Sequence, residues 1–320
     1  MNKEGRKMKS AFLFQGQGSQ LLGMGRDLYD QFETAKNLYN EANDILGFDL
    51  KEIIFNGPKD QLDLTINTQP ALMLHSTVIL KIIQDLSGKN IEQLCTVVAG
   101  HSLGEYTAAC AAGAMEFADC LKLLRLRGQS MQNAVAVGRG AMAAILGVDK
   151  EEVMEIIQEA LKFGTCDIAN DNCPGQIVIS GIIEAVTEAM NIAKSKGKKA
   201  IKLDVSAPFH CSLMEPVEDV MQQALEDIQF SAPRVPIIMN VTALPTRDLK
   251  QIKSLLVKQI TSLVRWRETI IYIAGSGVNN FYEIGTGKVL VGVGKRIDEN
   301  CNFFALSNKE AIEEFVSKLI

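Results

Sequence analysis

A serine between two glycines ends the apolar part of the run VVAGHSLGEY, residues 97–106. Residues 100–104 have the spacing G-x-S-x-G, which in one class of enzymes displays a nucleophilic serine on a sharp strand-to-helix turn. Such a turn excludes side chains two positions from the serine, and it leaves the hydroxyl at the amino end of a helix, where negative charge is favoured. We therefore interpret Ser102 as a candidate nucleophile, with the N–H of Leu103 aimed at the substrate oxygen. An ordinary turn with a serine cap is the alternative.

A nucleophilic serine needs a base, and the chain has only three histidines. His75 lies in an apolar helical segment and is interpreted as a structural histidine with satisfied hydrogen bonds. His101 adjoins the serine and is expected to support the turn. His210, in APFHCSLM, follows the serine along the chain, as in hydrolase-type folds, and is the candidate base; a surface-loop histidine is the alternative. No acidic residue stands out as a third member, so a backbone carbonyl or an amide is a possible orienting group.

The segments around these residues alternate between strands and helices, which predicts a mostly parallel sheet. SAFLF, LCTVVAG and VPIIMN have the pattern of buried strands, and TQPALMLHSTVILKIIQDL that of a long helix with Pro70 near its start. Between residues 137 and 206 the order becomes β-α-β-β-α-β, which is typical of a ferredoxin-like unit. The expected fold is α/β: an α/β-hydrolase-like large domain with a parallel sheet (1–136 and 207–320) and an inserted small ferredoxin-like domain (137–206).

Composition excludes several classes of protein. The 320 residues are 47% hydrophobic and 22% charged, which is typical of a globular chain, and their net charge of −5 with no basic block argues against nucleic acid as a partner. The seven cysteines form no C-x-x-C pair and are odd in number, which favours a reducing cytoplasm and argues against a disulfide frame or structural zinc; we expect no metal site. No apolar run is long enough to span a bilayer, so we expect no membrane partner. The glycine-rich segments GQGSQL and GTGKVL lack the remaining residues of nucleotide-binding motifs.

Several further motifs occur in a fixed order along nearly the whole chain. They are GQGSQ (16–20), TQPA (68–71), GHSLGEYTA (100–108), LRLRGQSMQ (124–132), NCPGQIVISG (172–181), APFHCSLM (207–214), QITSLVRW (259–266) and EIGTGKVLVGVGKRI (283–297). In this order they resemble the malonyl-CoA:acyl carrier protein transacylases, the acyltransferases of bacterial fatty acid synthesis and of polyketide synthases. The inserted ferredoxin-like unit is also a feature of that family.

The resemblance implies roles for the reacting groups. Ser102 matches the serine that becomes acylated, and His210 matches its base. The backbone N–H groups of Gln17 and Leu103 match the pair that forms the oxyanion hole. Two such donors suit the negative charge of a tetrahedral intermediate.

The resemblance also implies how the substrate is bound. Arg127 matches the arginine that holds the free carboxylate of malonyl, whereas Arg125, two positions earlier, is expected to face another side of the helix. Gln259 matches a residue that helps to orient the histidine. Asn172 is expected in a small-domain loop that faces the cleft, and Phe209 has the type found in malonyl-selective members.

The implied activity is transfer of malonyl from malonyl-CoA to the phosphopantetheine thiol of holo acyl carrier protein, by a ping-pong mechanism through a malonyl-serine ester. No cofactor or metal is implied, and a cytoplasmic monomer is expected. Three alternatives stay open: a discrete acyltransferase of a polyketide synthase, a serine acyl hydrolase, and a non-catalytic carrier-binding module.

Two positions depart from the family pattern. Gln15 and Thr286 stand where proline is common in the family. Both departures are expected to change loop stiffness rather than chemistry.

Overall fold

Within residues 9–205 and 207–319, which the computed structural model describes, the chain forms a six-stranded sheet and a separate four-stranded sheet. In chain order the strands are β1 (Ser10–Phe14), β2 (Val97–Gly100), β3 (Gly140–Leu146), β4 (Cys166–Cys173), β5 (Gln176–Ile182), β6 (Lys199–Lys202), β7 (Ile237–Ile238), β8 (Pro245–Thr246), β9 (Asn280–Ile284) and β10 (Asn302–Leu306). The helices are α1 (Arg26–Gln31), α2 (Glu33–Leu46), α3 (Leu50–Asn56), α4 (Lys59–Asp63), α5 (Thr65–Ser87), α6 (Ile91–Leu94), α7 (Leu103–Ala111), α8 (Phe117–Asn133), α9 (Lys150–Ala160), α10 (Ile183–Ser195), α11 (Glu215–Glu226), α12 (Leu249–Lys258), α13 (Trp266–Gly275), α14 (Val289–Ile297) and α15 (Lys309–Ser317).

The six-stranded sheet has the order β10-β9-β1-β2-β7-β8, and every neighbouring pair is parallel except β7 and β8. Strand β1 is buried along its whole length because both of its faces are covered: Phe12 and Phe14 enter one apolar core, and Ala11 and Leu13 enter another. Phe14 pairs with the last residues of both β2 and β9, so the carboxyl ends of these strands are level. The loops after them therefore meet at one edge of the sheet, where α/β proteins bind their ligands.

The four-stranded sheet is antiparallel, with the order β4-β5-β3-β6. Helices α9 and α10 pack on it, so residues 140–202 have the predicted β-α-β-β-α-β order. Ala143 and Ile145 of β3 face these helices, while Met142 and Ala144 face the main core. The mixed α/β fold with a parallel-rich sheet is thus confirmed. The domain boundaries at 137 and 206 stay predictions, and residues 1, 206 and 320 lie outside the described ranges.

A short extended segment at Val264 pairs with β4 of the four-stranded sheet. Its N–H donates to the carbonyl of Ala169 over 2.9 Å, and its carbonyl accepts the N–H of Asp171 over 3.0 Å. The Asp171 carboxylate is buried and accepts two hydrogen bonds from Arg267, through Nε (3.0 Å) and Nη2 (2.8 Å). Backbone pairing and an ion pair therefore connect β4 to the start of α13.

Helix α5 begins at Thr65, so Pro70 is its sixth residue and the prediction that it lies near the helix start is wrong. A proline there cannot donate to the carbonyl of Ile66, four residues earlier. Arg125 of α8 supplies that hydrogen bond instead, from Nη1 over 3.1 Å. A tertiary contact thus compensates for the interruption, and the helix continues to Ser87.

Candidate active site

Ser102 lies on a tight turn between β2 and α7. Its φ of 55° and ψ of −113° form a conformation that non-glycine residues rarely adopt. A Cβ atom on Gly100 would overlap the carbonyl of Gly104, and one on Gly104 would overlap the carbonyl of Phe14. Space therefore requires glycine on both sides of the serine.

The His210 ring is in hydrogen-bond contact with this serine, with 2.7 Å between Nε2 and Ser102 Oγ. Its other nitrogen, Nδ1, is 2.9 Å from the backbone carbonyl of Gln259. A carbonyl can only accept, so Nδ1 carries the proton and Nε2 is free to accept one from the serine. Burial, and next the charge of Arg127, lower the pKa of His210 to about 3. The ring is therefore neutral, as a general base must be.

Arg127 of α8 is almost fully buried, with 1% of its surface exposed. Its Nη2 donates to Ser102 Oγ (3.2 Å) and to Gln259 Oε1 (2.6 Å), and its Nη1 donates to Gln69 Oε1 (2.8 Å). Within residues 9–205 and 207–319, its Nε has no acceptor, and none of the groups that accept its other hydrogen bonds is a carboxylate. A buried cation whose direct partners are all neutral lies beside the serine hydroxyl, and this arrangement suits an anionic ligand group.

The loop after β1 approaches the turn from the other side. A Cβ atom on Gly16 would lie 2.9 Å from both Nδ1 and the carbonyl oxygen of His101, so this loop packs closely against the residue before Ser102. Across the part of the chain that the structure describes, the backbone N–H groups of Gln17 and Leu103 have no acceptor. The Gln17 side chain is held separately, by donation from Nε2 to Thr65 Oγ1 over 3.0 Å.

A cleft of about 270 Å³ opens onto Ser102 and His210. Its walls combine Gln17 from the loop after β1 with Met142 and Asn170 from the four-stranded sheet, and Phe209 also lines it. A larger cavity of about 590 Å³ lies between α11 and α12, but it contains none of the predicted site residues. The smaller cleft is therefore the candidate active site, because it contains Ser102 and His210.

A family model described as an acyl transferase domain matches residues 11–300. The chain belongs to this family. A malonyl CoA-acyl carrier protein transacylase of Bacillus subtilis (strain 168) is 43% identical over 313 residues, 97% of each chain. The crystal structure of an acyl-carrier-protein-S-malonyltransferase from Bartonella henselae has a TM-score of 0.95 and 48% identity, over 98% of this chain and 99% of that one. A malonyl-transacylase in complex with a type II PKS acyl-carrier protein has a TM-score of 0.93 and 38% identity, over 97% and 99%.

These comparisons confirm the family that the ordered motifs predicted for this acyl transferase domain. They do not test the roles of individual residues, which stay predictions. The structure brings Ser102, His210, Arg127 and Gln259 into one hydrogen-bonded group.

Asn172 of the acyl transferase domain lies elsewhere than predicted. It belongs to β4, not to a loop, because β4 continues to Cys173 through two irregularities and the hairpin closes at Pro174 and Gly175. Its Oδ1 is 2.8 Å from His101 Nε2, and it is absent from the cleft wall. Asn172 therefore fixes the orientation of the His101 ring, which is consistent with the expectation that His101 supports the turn.

His75 of the acyl transferase domain is buried, but the expectation that its hydrogen bonds are satisfied is wrong. Neither ring nitrogen has a partner within the described residues. Burial lowers the pKa of this ring to about 4. Apolar neighbours along α5 explain its burial but provide no acceptor.

Sequence reasoning missed three polar residues of the site. Asn240, at the carboxyl end of β7, accepts the N–H of Ser102 on Oδ1 (2.8 Å) and donates from Nδ2 to the carbonyl of Gly100 (2.7 Å). Glu105 is fully buried in α7, and Gln69 contacts Arg127. Burial raises the pKa of Glu105 to about 8, against the opposing effects of hydrogen bonds from Asn240 and Gln259 and of the Arg127 charge. Glu105 is the only acidic residue in a helix of mostly small and apolar residues, and this pattern could have predicted that it is buried.

Two further properties of this acyl transferase domain hold for residues 9–205 and 207–319. No group of three or more His, Cys, Asp or Glu side chains in these ranges has a geometry that could hold a metal ion. No helix in them combines the length and the apolar character needed to cross a membrane.

Proposed function

We propose that this protein transfers the malonyl group of malonyl-CoA to the phosphopantetheine thiol of a holo acyl carrier protein. One observation carries the proposal: the buried guanidinium of Arg127 donates to the hydroxyl of Ser102. A cation beside the nucleophile suits an acyl group that bears a free carboxylate, since a guanidinium binds a carboxylate through two parallel hydrogen bonds. The names of the relatives from Bacillus subtilis and Bartonella henselae support the same donor group and acceptor.

In the first half-reaction, His210 Nε2 takes the proton of Ser102 as Oγ attacks the thioester carbonyl. The N–H groups of Gln17 and Leu103 bind the resulting oxyanion, and the loss of one such donor typically costs about 3 kcal/mol. The intermediate collapses with cleavage of the carbon–sulfur bond. His210 then returns the proton to the leaving CoA sulfur, and malonyl remains as an ester on Ser102.

In the second half-reaction, the carrier-protein thiol attacks this ester and gives its proton to His210. The carbon–oxygen bond breaks, and His210 returns the proton to Ser102. Arg127 holds the malonyl carboxylate during both steps, and Phe209, which lines the cleft, limits the space for larger acyl groups. Acetyl is disfavoured because it leaves the buried cation without an anionic partner.

The test is covalent labelling. The parent protein, mixed with malonyl-CoA and quenched in acid, should gain one malonyl group by intact-mass measurement, and Ser102→Ala should gain none. An adduct that persists on Ser102→Ala would refute the assignment of the nucleophile. Full activity after exhaustive dialysis against a chelator is expected, since the proposed chemistry uses only protein groups.

A second candidate is service to a polyketide assembly line, which the relative in complex with a type II PKS acyl-carrier protein favours. Transfer rates to fatty-acid and polyketide carrier proteins would separate the two. A serine acyl hydrolase would instead release free malonate in the absence of any carrier. We further propose that the protein is cytoplasmic, in keeping with its seven free cysteines, and that it is a monomer. Light scattering after gel filtration tests the oligomeric state.

A further inference from the structure

One buried carboxylate joins two distant segments at the candidate site. Glu105, the third residue of α7, is fully buried. Its Oε1 accepts a hydrogen bond from the backbone N–H of Asn240 over 2.6 Å, and its Oε2 accepts one from Nε2 of Gln259. These partners lie 135 and 154 residues further along the chain. A single side chain therefore fixes where the end of β7 and the end of α12 sit relative to the serine turn.

Through Asn240, Glu105 supports the turn itself. The Asn240 side chain bonds the N–H of Ser102 and the carbonyl of Gly100, so it bridges the turn on both sides. Ser102 has a positive φ, a conformation that persists in a non-glycine residue only when its surroundings enforce it. The bond from the Asn240 backbone to Glu105 keeps this bridge in place.

Through Gln259, Glu105 supports the base. The backbone carbonyl of Gln259 accepts His210 Nδ1, while its side-chain oxygen faces Arg127 and its side-chain nitrogen faces Glu105 and the Ser102 carbonyl. The amide thus lies between a cation and a carboxylate, with its oxygen and nitrogen ordered by the two charges. A proton on either Glu105 oxygen would face an N–H donor, so the contacts fit the ionised form.

We propose that Glu105 is a positioning residue that holds the serine turn and the histidine-orienting carbonyl in register, so that Ser102 Oγ stays in contact with His210 Nε2. This inference rests on the proposed function, because it assigns Glu105 to the acylation of Ser102. Glu105 itself touches neither of these two atoms. Its effect is exerted through Asn240 and Gln259.

The experiment compares the parent with Glu105→Gln at a pH of about 9, where the carboxyl group is ionised. The variant keeps the size of the side chain but turns an N–H toward one of the two donors. The first readout is the rate at which a fluorophosphonate probe labels Ser102, which requires the Ser102–His210 pair but no carboxylate on the probe. The second is the division of the effect between kcat and KM in malonyl transfer.

For Glu105→Gln we expect the labelling rate and kcat to fall at least about tenfold, with KM for malonyl-CoA changed less than about threefold. Glu283→Gln is the matched control. Glu283 is also a buried carboxylate with two N–H donors, from Gln15 and Val291, but it contacts neither Ser102 nor His210. Its variant should lose thermal stability while its labelling rate stays within about twofold of the parent.

Each outcome has a distinct meaning. A parent protein that the probe does not label at Ser102 would overturn the proposed function together with this inference. A folded Glu105→Gln variant labelled at the parental rate would overturn the positioning role alone, as would an equal slowing in Glu283→Gln. If Glu105→Gln does not fold, Glu105→Asp carries the test, because the shorter carboxylate cannot reach both the Asn240 N–H and the Gln259 side chain: the same fall in labelling rate supports the role, and a parental rate overturns it.

Discussion

The guanidinium of Arg127 and the hydroxyl of Ser102 are in direct hydrogen-bond contact, with 3.2 Å between Nη2 and Oγ. The same nitrogen contacts the side-chain oxygen of Gln259, whose backbone carbonyl orients His210. The cation, the proposed nucleophile and the proposed base therefore form one continuous hydrogen-bonded group. A substitution at any of these residues should change either the choice of acyl group or the rate of acyl transfer.

Arg127→Ala should reduce malonyl transfer and relax the discrimination against acetyl. Loss of hydrogen bonds between a guanidinium and a carboxylate costs about 3 kcal/mol, which corresponds to roughly a hundredfold fall in kcat/KM for malonyl-CoA. Parallel transfer assays with malonyl-CoA and acetyl-CoA measure the ratio. Arg125→Ala is the control, because Arg125 lies on the same helix but bonds the carbonyl of Ile66. An unchanged ratio in Arg127→Ala would mean that another group binds the carboxylate.

The rate of Ser102 labelling should change with pH because Glu105 ionises, and not because His210 does. Burial raises the pKa of Glu105 to about 8, so the labelling rate of the parent should rise with pH through that value as the carboxylate forms. Burial and the charge of Arg127 lower the pKa of His210 to about 3, so its ring is already neutral at higher pH. In Glu105→Gln, the rate should therefore stay flat from about pH 8 to about pH 5, whereas a histidine with an ordinary pKa of about 6.5 would give a fall of roughly thirtyfold. An inflection near pH 6.5 in that variant would contradict the lowered pKa of the base.

His75→Leu should stabilise the protein. A buried ring without hydrogen-bond partners costs about 1–3 kcal/mol, so we expect the free energy of unfolding to rise by about 1 kcal/mol at neutral pH. The gain should grow on acidification: burial lowers the pKa of His75 to about 4, so between about pH 6.5 and that value only the unfolded chain binds the proton. Urea titrations at several pH values measure both effects. Ser76→Ala is the control, since Ser76 Oγ donates to the carbonyl of Ile284 over 2.8 Å and its removal should be destabilising.

Gln15→Leu should destabilise the protein by about 2 kcal/mol, the typical cost of depriving a buried carboxylate of a donor. Gln15 Nε2 donates both to Glu283 Oε1 and to the carbonyl of Thr286, so the two positions that depart from the family pattern contact each other. The expectation that these departures affect loop stiffness rather than chemistry stays a prediction. In a Glu283→Leu background the same substitution should cost much less, because the carboxylate is gone. Equal costs in both backgrounds, measured by chemical unfolding, would refute the coupling.

Local sequence patterns were sufficient to predict most of the strands and helices and some of the site residues. The strand-to-helix turn at Ser102 follows from two glycines and an apolar run, and His210 was chosen among three histidines by its place in the chain. Arg127 could be separated from Arg125 only through the family resemblance, because their spacing does not say which one faces the core. Asn240 could not be predicted from local pattern, since its partner Ser102 is 138 residues away. The position of Pro70 inside α5 could not be predicted for the same reason: the hydrogen bond that proline cannot make to Ile66 is supplied by Arg125 of another helix.

Ser102 and His210 both hold a left-handed backbone, with φ of 55° and 57°. Each such residue costs of the order of 1 kcal/mol that glycine would avoid. A chain with glycine at position 102 should therefore unfold at a higher temperature than one with alanine there, although neither can carry an ester. Backbone stability and the proposed chemistry therefore favour different residues at these two positions: glycine would relieve the strain, but only the serine and the histidine supply the reacting groups.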